Sequence, residues 1–348
     1  MPRKPLLATL LIGAAVLTPV GAATATPHEA APREIVPLCV DFPVEHPGVT
    51  RIGGADRFAL SAAVSASTFI DSGGTVYIAS GATFPDALSG SAAAGFEGGP
   101  VLLVTRDTVS PQVKAELQRL KPHKIVVLGG ENTISQALEF SLEAYAPEIV
   151  RHGGADRFEV SAKIATATFQ HVSWTAYVAT GSGFADALSA SAAAGNDRGP
   201  VLLVGQDSIP TATLQALADA PALDRIVVVG GTNSISDAVF TQLAAIARTT
   251  RISGTDRFAV SATTSAKTFC ADAQTVYVAS GAVFPDALSG SAAAIHDGAP
   301  VLLVTSDTIP APVAAELRRL NPQGIVVLGG PNTVSDKVVN DLKGYLRP

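Results

Sequence analysis

Short aliphatic and β-branched runs bounded by glycine or proline recur along the chain, the first at residues 75–79, 101–104 and 125–128. Runs with so little polar alternation suit strands covered on both faces. Between them the apolar positions follow helical spacing. The pattern predicts helices over 56–69 with Asp56 as N-cap, over 86–94, over 110–120 with Pro111 at the first helical position, and over 135–145. Strands alternating with helices imply an α/β fold with a mostly parallel sheet, because parallel neighbours need long crossovers. Residues 49–52 offer a fourth, edge strand.

This pattern occurs three times. RIGGADRFALSA from Arg51 returns as RHGGADRFEVSA from Arg151 and RISGTDRFAVSA from Arg251, a period of 100 residues. FPDALSGSAAA from Phe84, PVLLV from Pro100 and VLGGENTIS from Val127 recur in the same order. Solenoid repeats of roughly 20–45 residues cannot bury a core alone, whereas a unit of this length can. The expected domains are therefore 49–148, 149–248 and 249–348.

Composition adds that the 348-residue chain, 47% hydrophobic and 16% charged, has the balance of a packed globular protein. Ahead of the copies stand Arg3 and Lys4, an apolar run over 6–17, and Ala23, Thr24 and Ala25. That is the form of a cleaved signal peptide over 1–25, and it predicts export. The run is shorter than the roughly 20 residues a bilayer span needs, so no membrane attachment is expected after cleavage. Residues 26–48 read as a proline-rich leader, in which Cys39 lies too far from the apolar run to accept lipid. The chain ends soon after the third copy, and no further domain is expected. Loss of Arg3 and Lys4 leaves 22 basic residues against 30 acidic ones, a charge of −8. Non-specific nucleic-acid binding is thereby disfavoured.

Polar positions kept in all three copies are the candidates for chemistry: Arg51, Arg151 and Arg251; Arg57, Arg157 and Arg257; Asp86, Asp186 and Asp286; Asn132, Asn233 and Asn332. Glycines and the alanine-rich stretch are explained by tight turns and close helix packing. Arg57 opens a helix, the unfavourable end for a cation. Its recurrence implies either a specific carboxylate partner, such as Asp56 or Asp86, or an anionic ligand. The loops over 81–85 and 129–132 follow strand ends and lead into helices, where open α/β sheets bind ligands and free backbone N–H groups favour anions. No phosphate loop, dinucleotide fingerprint or nucleophile elbow is present. The six histidines fall out of register among the copies, which excludes a repeated His-based catalytic or zinc site. Neither a metal nor a cofactor is expected.

The motifs RIGGADRF, FPDALSGSAAA, PVLLV and VLGGENTIS, in that order and three times over, resemble the cell wall binding repeat 2 family of Gram-positive surface proteins. The resemblance implies three open Rossmann-like or toprim-like modules packed around a pseudo-threefold axis. It also implies non-covalent attachment to an anionic secondary cell wall polymer or other wall glycan, as in surface-layer and autolysin-associated proteins. The expected protein is a monomeric, non-catalytic wall binder that uses the arginines, aspartates and asparagines above. A secreted enzyme acting on wall glycan or a phosphorylated metabolite, with the repeated Asp as its acid, is the alternative. A closed threefold ring would bring the leader near copy three, so Cys39 and Cys270 are either a disulfide or a free thiol and a small core residue.

Overall fold

The computed structural model describes residues 46–83, 85–169, 174–220 and 222–348. The expected signal peptide, nearly all of the leader, and Cys39 lie outside the described residues. In the first copy the order is β1 (Gly48–Ile52), α1 (Arg57–Thr68), β2 (Thr75–Ser80), α2 (Pro85–Phe96), β3 (Val101–Val104), α3 (Pro111–Leu120), β4 (Lys124–Leu128) and α4 (Gln136–Leu142). The second runs β5 (Glu148–His152), α5 (Arg157–Phe169), β6 (Trp174–Thr180), α6 (Ala185–Asn196), β7 (Val201–Val204), α7 (Thr211–Ala218), β8 (Leu223–Val229) and α8 (Asp237–Ala244). The third runs β9 (Arg248–Ile252), α9 (Arg257–Thr268), β10 (Thr275–Ser280), α10 (Pro285–His296), β11 (Val301–Val304), α11 (Ala311–Leu320), β12 (Gly324–Leu328) and α12 (Asp336–Leu342).

Local chemistry accounts for the boundaries. Asp56 accepts from Phe58 N and Ala59 N at 2.9 and 2.8 Å, capping α1. Ser110 caps α3 ahead of Pro111, and Lys121 ends that helix in the left-handed region at φ 44. Ser135 caps α4, which stops at Leu142, three residues short of the helix expected from the pattern. Asp86 sits in the first turn of α2 rather than at its cap, a favourable position for an acid on the helix dipole.

Three four-stranded sheets result, with orders β3-β2-β4-β5, β7-β6-β8-β9 and β1-β12-β10-β11. Every pairing is parallel. The edge strand expected at residues 49–52 exists, but it does not join the sheet of its own repeat. β5 completes the sheet of copy one, β9 that of copy two, and β1 that of copy three, with Val49 opposite Ile325 and Ile52 opposite Leu328. Each strand thus reaches back one copy, and the third exchange closes the three copies into a ring. The first helices stay on their own copy, α1 against β3 and α3, α5 against β7 and α7, α9 against β11 and α11. They also meet the preceding copy's inner helix: α1 packs on α10, α5 on α2, and α9 on α6.

At the pseudo-threefold axis α2, α6 and α10 pack against one another. Their Ala-rich faces allow close approach, and Ser191 Oγ donates across the seam to Leu88 O at 2.8 Å, Ser91 Oγ to Leu288 O at 3.0 Å. A Cβ built on Gly95 or Gly195 would overlap the side chain of Ile295. The axis accordingly accommodates one isoleucine, and copies one and two give it room. Behind the same helices, a Cβ on Gly90 would strike Leu128 and one on Gly290 would strike Leu328. Copy two has Ala190 there and the smaller Val229 opposite, which conserves packed volume.

Candidate functional site

The C-terminal ends of the strands face three clefts, one at each seam between copies. The wall from the preceding copy is built by two loops. The first glycine after β4 has φ +98, a conformation that disfavours side chains, and a Cβ there would overlap Asp86 Oδ2. Gly230 (φ +124) stands against Asp186 in the same way, and Gly329 (φ +100) against Asp286. The glycine therefore serves the turn and seats the carboxylate. Ser234 Oγ donates to Asp186 Oδ2 at 2.9 Å, and Thr133 and Thr333 stand at the same place beside Asp86 and Asp286, with Thr333 Oγ1 donating to Gly330 O at 2.9 Å.

The opposite wall comes from the following copy. Arg57 Nη1 donates to the carbonyl of Gly81, Arg157 to that of Gly181, and Arg257 to that of Gly281 at 2.5 Å. Each guanidinium is held by its own strand end while it faces the carboxylate next door: Arg157 acts on Asp86, Arg257 on Asp186, and Arg57 on Asp286. Burial nevertheless dominates and raises all three carboxyls above their ordinary range, the arginine and the hydroxyl offsetting part of it. Arg57 also lies 5.9 Å from the ring centre of Phe284, and Arg257 5.5 Å from that of Phe184. Asn132, Asn233 and Asn332 stand exposed on the rims, each lining its cleft.

Of the residues expected to act together, the Arg57, Asp86 and Asn132 sets are gathered at the seams. The Arg51 set is elsewhere. Arg51 donates to Gly329 O and Val334 O, both at 2.8 Å, and pairs with Asp336 at 3.1 Å. Arg151 bonds Gly129 O and Glu139, and Arg251 bonds Gly230 O, Ile235 O and Asp237. These arginines fasten each exchanged strand to the Gly-Gly loop of the preceding copy. Part of the expected set of backbone donors is engaged within the fold: Gly81 N bonds Val104 O, Ala82 N bonds Ser80 Oγ and Gly129 N bonds His152 O. Phe184 and the Thr133, Ser234 and Thr333 set also line the clefts and were not expected there; identity of the Phe84 position in all three copies is the sequence signal for the former.

Among the described residues no cluster of His, Cys, Asp and Glu could hold a metal, and no helix is long and apolar enough to cross a membrane. Cys270 is disulfide-bonded.

The family model for Cell wall binding domain 2 (CWB2) matches residues 51–139, 151–240 and 251–339. Over 295 residues the chain is 27% identical to the N-acetylmuramoyl-L-alanine amidase LytC of Bacillus subtilis (strain 168), covering 85% of this chain and 58% of that protein. It is 26% identical to the amidase enhancer of the same organism, covering 84% and 40%. Among solved structures, Cwp6 from Clostridium difficile superposes with a TM-score of 0.80 at 27% identity, covering 87% of this chain and 48% of that one. Cwp8 from Clostridium difficile gives 0.77 at 26% identity, covering 86% and 52%. The chain spans about half the length of these relatives. With all three copies matched, it belongs to the Cell wall binding domain 2 (CWB2) family.

Proposed function

We propose that this is a secreted cell-wall-binding protein that attaches as a monomer, and non-covalently, to an anionic secondary polymer of a Gram-positive wall, in the manner of a surface-layer anchor. The observation that carries the reading is the threefold recurrence, at the seams of a wall-binding family, of an open cleft with arginine, a seated carboxylate and a rim asparagine. Arg57, Arg157 and Arg257 offer a planar fork to phosphate or carboxylate. Asp86, Asp186 and Asp286 accept from sugar hydroxyls, and Asn132, Asn233 and Asn332 both donate and accept. Arg51, Arg151 and Arg251 contribute by holding the Gly-Gly loops that carry those asparagines and seat the aspartates.

An acidic chain and an anionic polymer repel at long range, so capture depends on these local contacts. Catalysis on wall glycan is less well supported. A glycosidase needs two working carboxyls, yet Asp56, Asp156 and Asp256, the recurrent acids nearest the seated ones, are engaged as caps by the helix N–H groups.

Co-sedimentation of the mature protein with purified Gram-positive walls, before and after extraction of the secondary polymer, tests the reading. Retention is expected on intact walls only, and a triple Arg57→Gln, Arg157→Gln, Arg257→Gln variant is expected to lose it while melting within a few degrees of the parent. Equal retention on stripped walls would sink the polymer claim, and a cleared zone in a wall zymogram would favour the enzyme.

A further inference from the structure

The three clefts share a plan but differ in size. The cleft between copies two and three measures about 660 Å³, that between one and two about 450 Å³, and that between three and one about 250 Å³. The widest cleft is the one with the smallest residues in the loop before its inner helix. Copy two has Gly183 where copies one and three carry Thr83 and Val283, and Ala185 where copy three carries Pro285. Val283 is 37% exposed and lines the narrowest cleft.

Gly183 is not required by the backbone. Its φ lies outside the left-handed region, and a Cβ there would meet only Thr180 Cγ2 at 3.9 Å, an ordinary contact. A glycine with room for a side chain, at a position where both sister copies have one, leaves its space to the cleft. Charge separates the clefts as well. Glu131 lines the seam of copies one and two, where the other copies have Thr232 and Pro331. That cleft then sets Asp86, Glu131 and Asp156 against Arg157, whereas its neighbours set two acids against one arginine.

We infer that the clefts are unequal subsites. The seam of copies two and three is the principal one and takes the bulkiest sugar residue of the glycan, with Gly183 determining what fits. The seam of copies one and two is the weakest for an anionic ligand because of Glu131. This inference rests on the wall-polymer reading above.

Co-sedimentation with purified Gram-positive walls, paired with melting curves, tests it on single variants of the full mature chain. Gly183→Val should weaken retention about tenfold by filling the space a substituent needs. Glu131→Thr should strengthen it roughly threefold by removing a like charge beside the ligand. Arg257→Gln should lose more than Arg57→Gln or Arg157→Gln. Parent-like binding by Gly183→Val together with equal losses for the three arginine variants overturns the ranking and leaves wall binding standing. Full binding by the triple arginine variant removes the clefts from the reading altogether, and the ranking with them.

Discussion

Asp86, Asp186 and Asp286 work against stability at neutral pH. Burial raises their folded pKa above the unfolded value. The stability they contribute is therefore present in acid and drains away as pH rises through the raised value. The same cost recurs in all three copies, each time at a carboxyl that lines a cleft. His152 has the opposite sign. It is buried in β5 where the other copies have Ile52 and Ile252, and burial, then Lys163 and Lys124, push it down to about 4. Above pH 6.5 neither state binds the proton. Between 6.5 and about 4 the unfolded chain takes it up and the folded one does not, so stability falls as pH falls, by about 3 kcal/mol in all. His152→Ile should remove that loss, and the melting-temperature gap between variant and parent should widen from pH 7 to pH 4. A gap independent of pH would contradict the assignment. At this scale the oddness of Arg57 is legible in the sequence, since a cation at a helix start breaks a local rule. Its partner is not legible, because Asp286 belongs to another copy and nothing near Arg57 in the chain points to it.

Secondary structure follows from the hydrophobic pattern almost directly, since the apolar runs of the strands have two covered faces and most helices have a capping residue or proline at their start, α6 after Phe184 being an exception. The exchange of edge strands does not follow. A period of 100 residues arranged in a ring has no phase, so the repeat cannot say whether residues 49–52 open one sheet or finish another. The pairing is decided by contacts far apart in the chain, such as Arg51 with Gly329 and Val334. The axis is a second case: Ile295 beside Gly95 and Gly195 reads as ordinary variation until the three helices are brought together. Once they are, the three positions become one volume, with a consequence for stability. Gly95→Ile alone overfills the axis and should cost about 1–3 kcal/mol. Adding Ile295→Gly moves the single isoleucine from copy three to copy one and should recover most of that loss, a coupling visible in a denaturant double-mutant cycle. Additive losses would mean that the two side chains do not share the axis.

For the molecule as a whole, each copy meets the next through the same kind of surface, head to tail, and such an interface either closes or propagates. Here it closes at three, through β1 on β12 and α1 on α10. Every element of the other two seams is held in place by chain continuity, since copy two is tethered to both neighbours. The seam of copies three and one has no such tether, because its halves lie at opposite ends of the repeat array. A covalent link there would restrict the open state most. Cys270 follows α9 in copy three and is disulfide-bonded, and the chain's other cysteine, Cys39, precedes β1 by nine residues. We predict that these two are joined and that the bond guards the tetherless seam. Protein exported under oxidising conditions and treated with an alkylating agent without reductant should gain no label and keep the mass of a monomer. Reduction should then lower stability by up to a few kcal/mol, the loop-closure contribution less any strain. In hydrogen exchange, the loss of protection should be concentrated in β1 and β12 rather than in the β4–β5 and β8–β9 pairs. Two labelled thiols would disprove the link, a dimer mass would place it between chains, and uniform loss of protection would show that it stabilises the fold without guarding the seam.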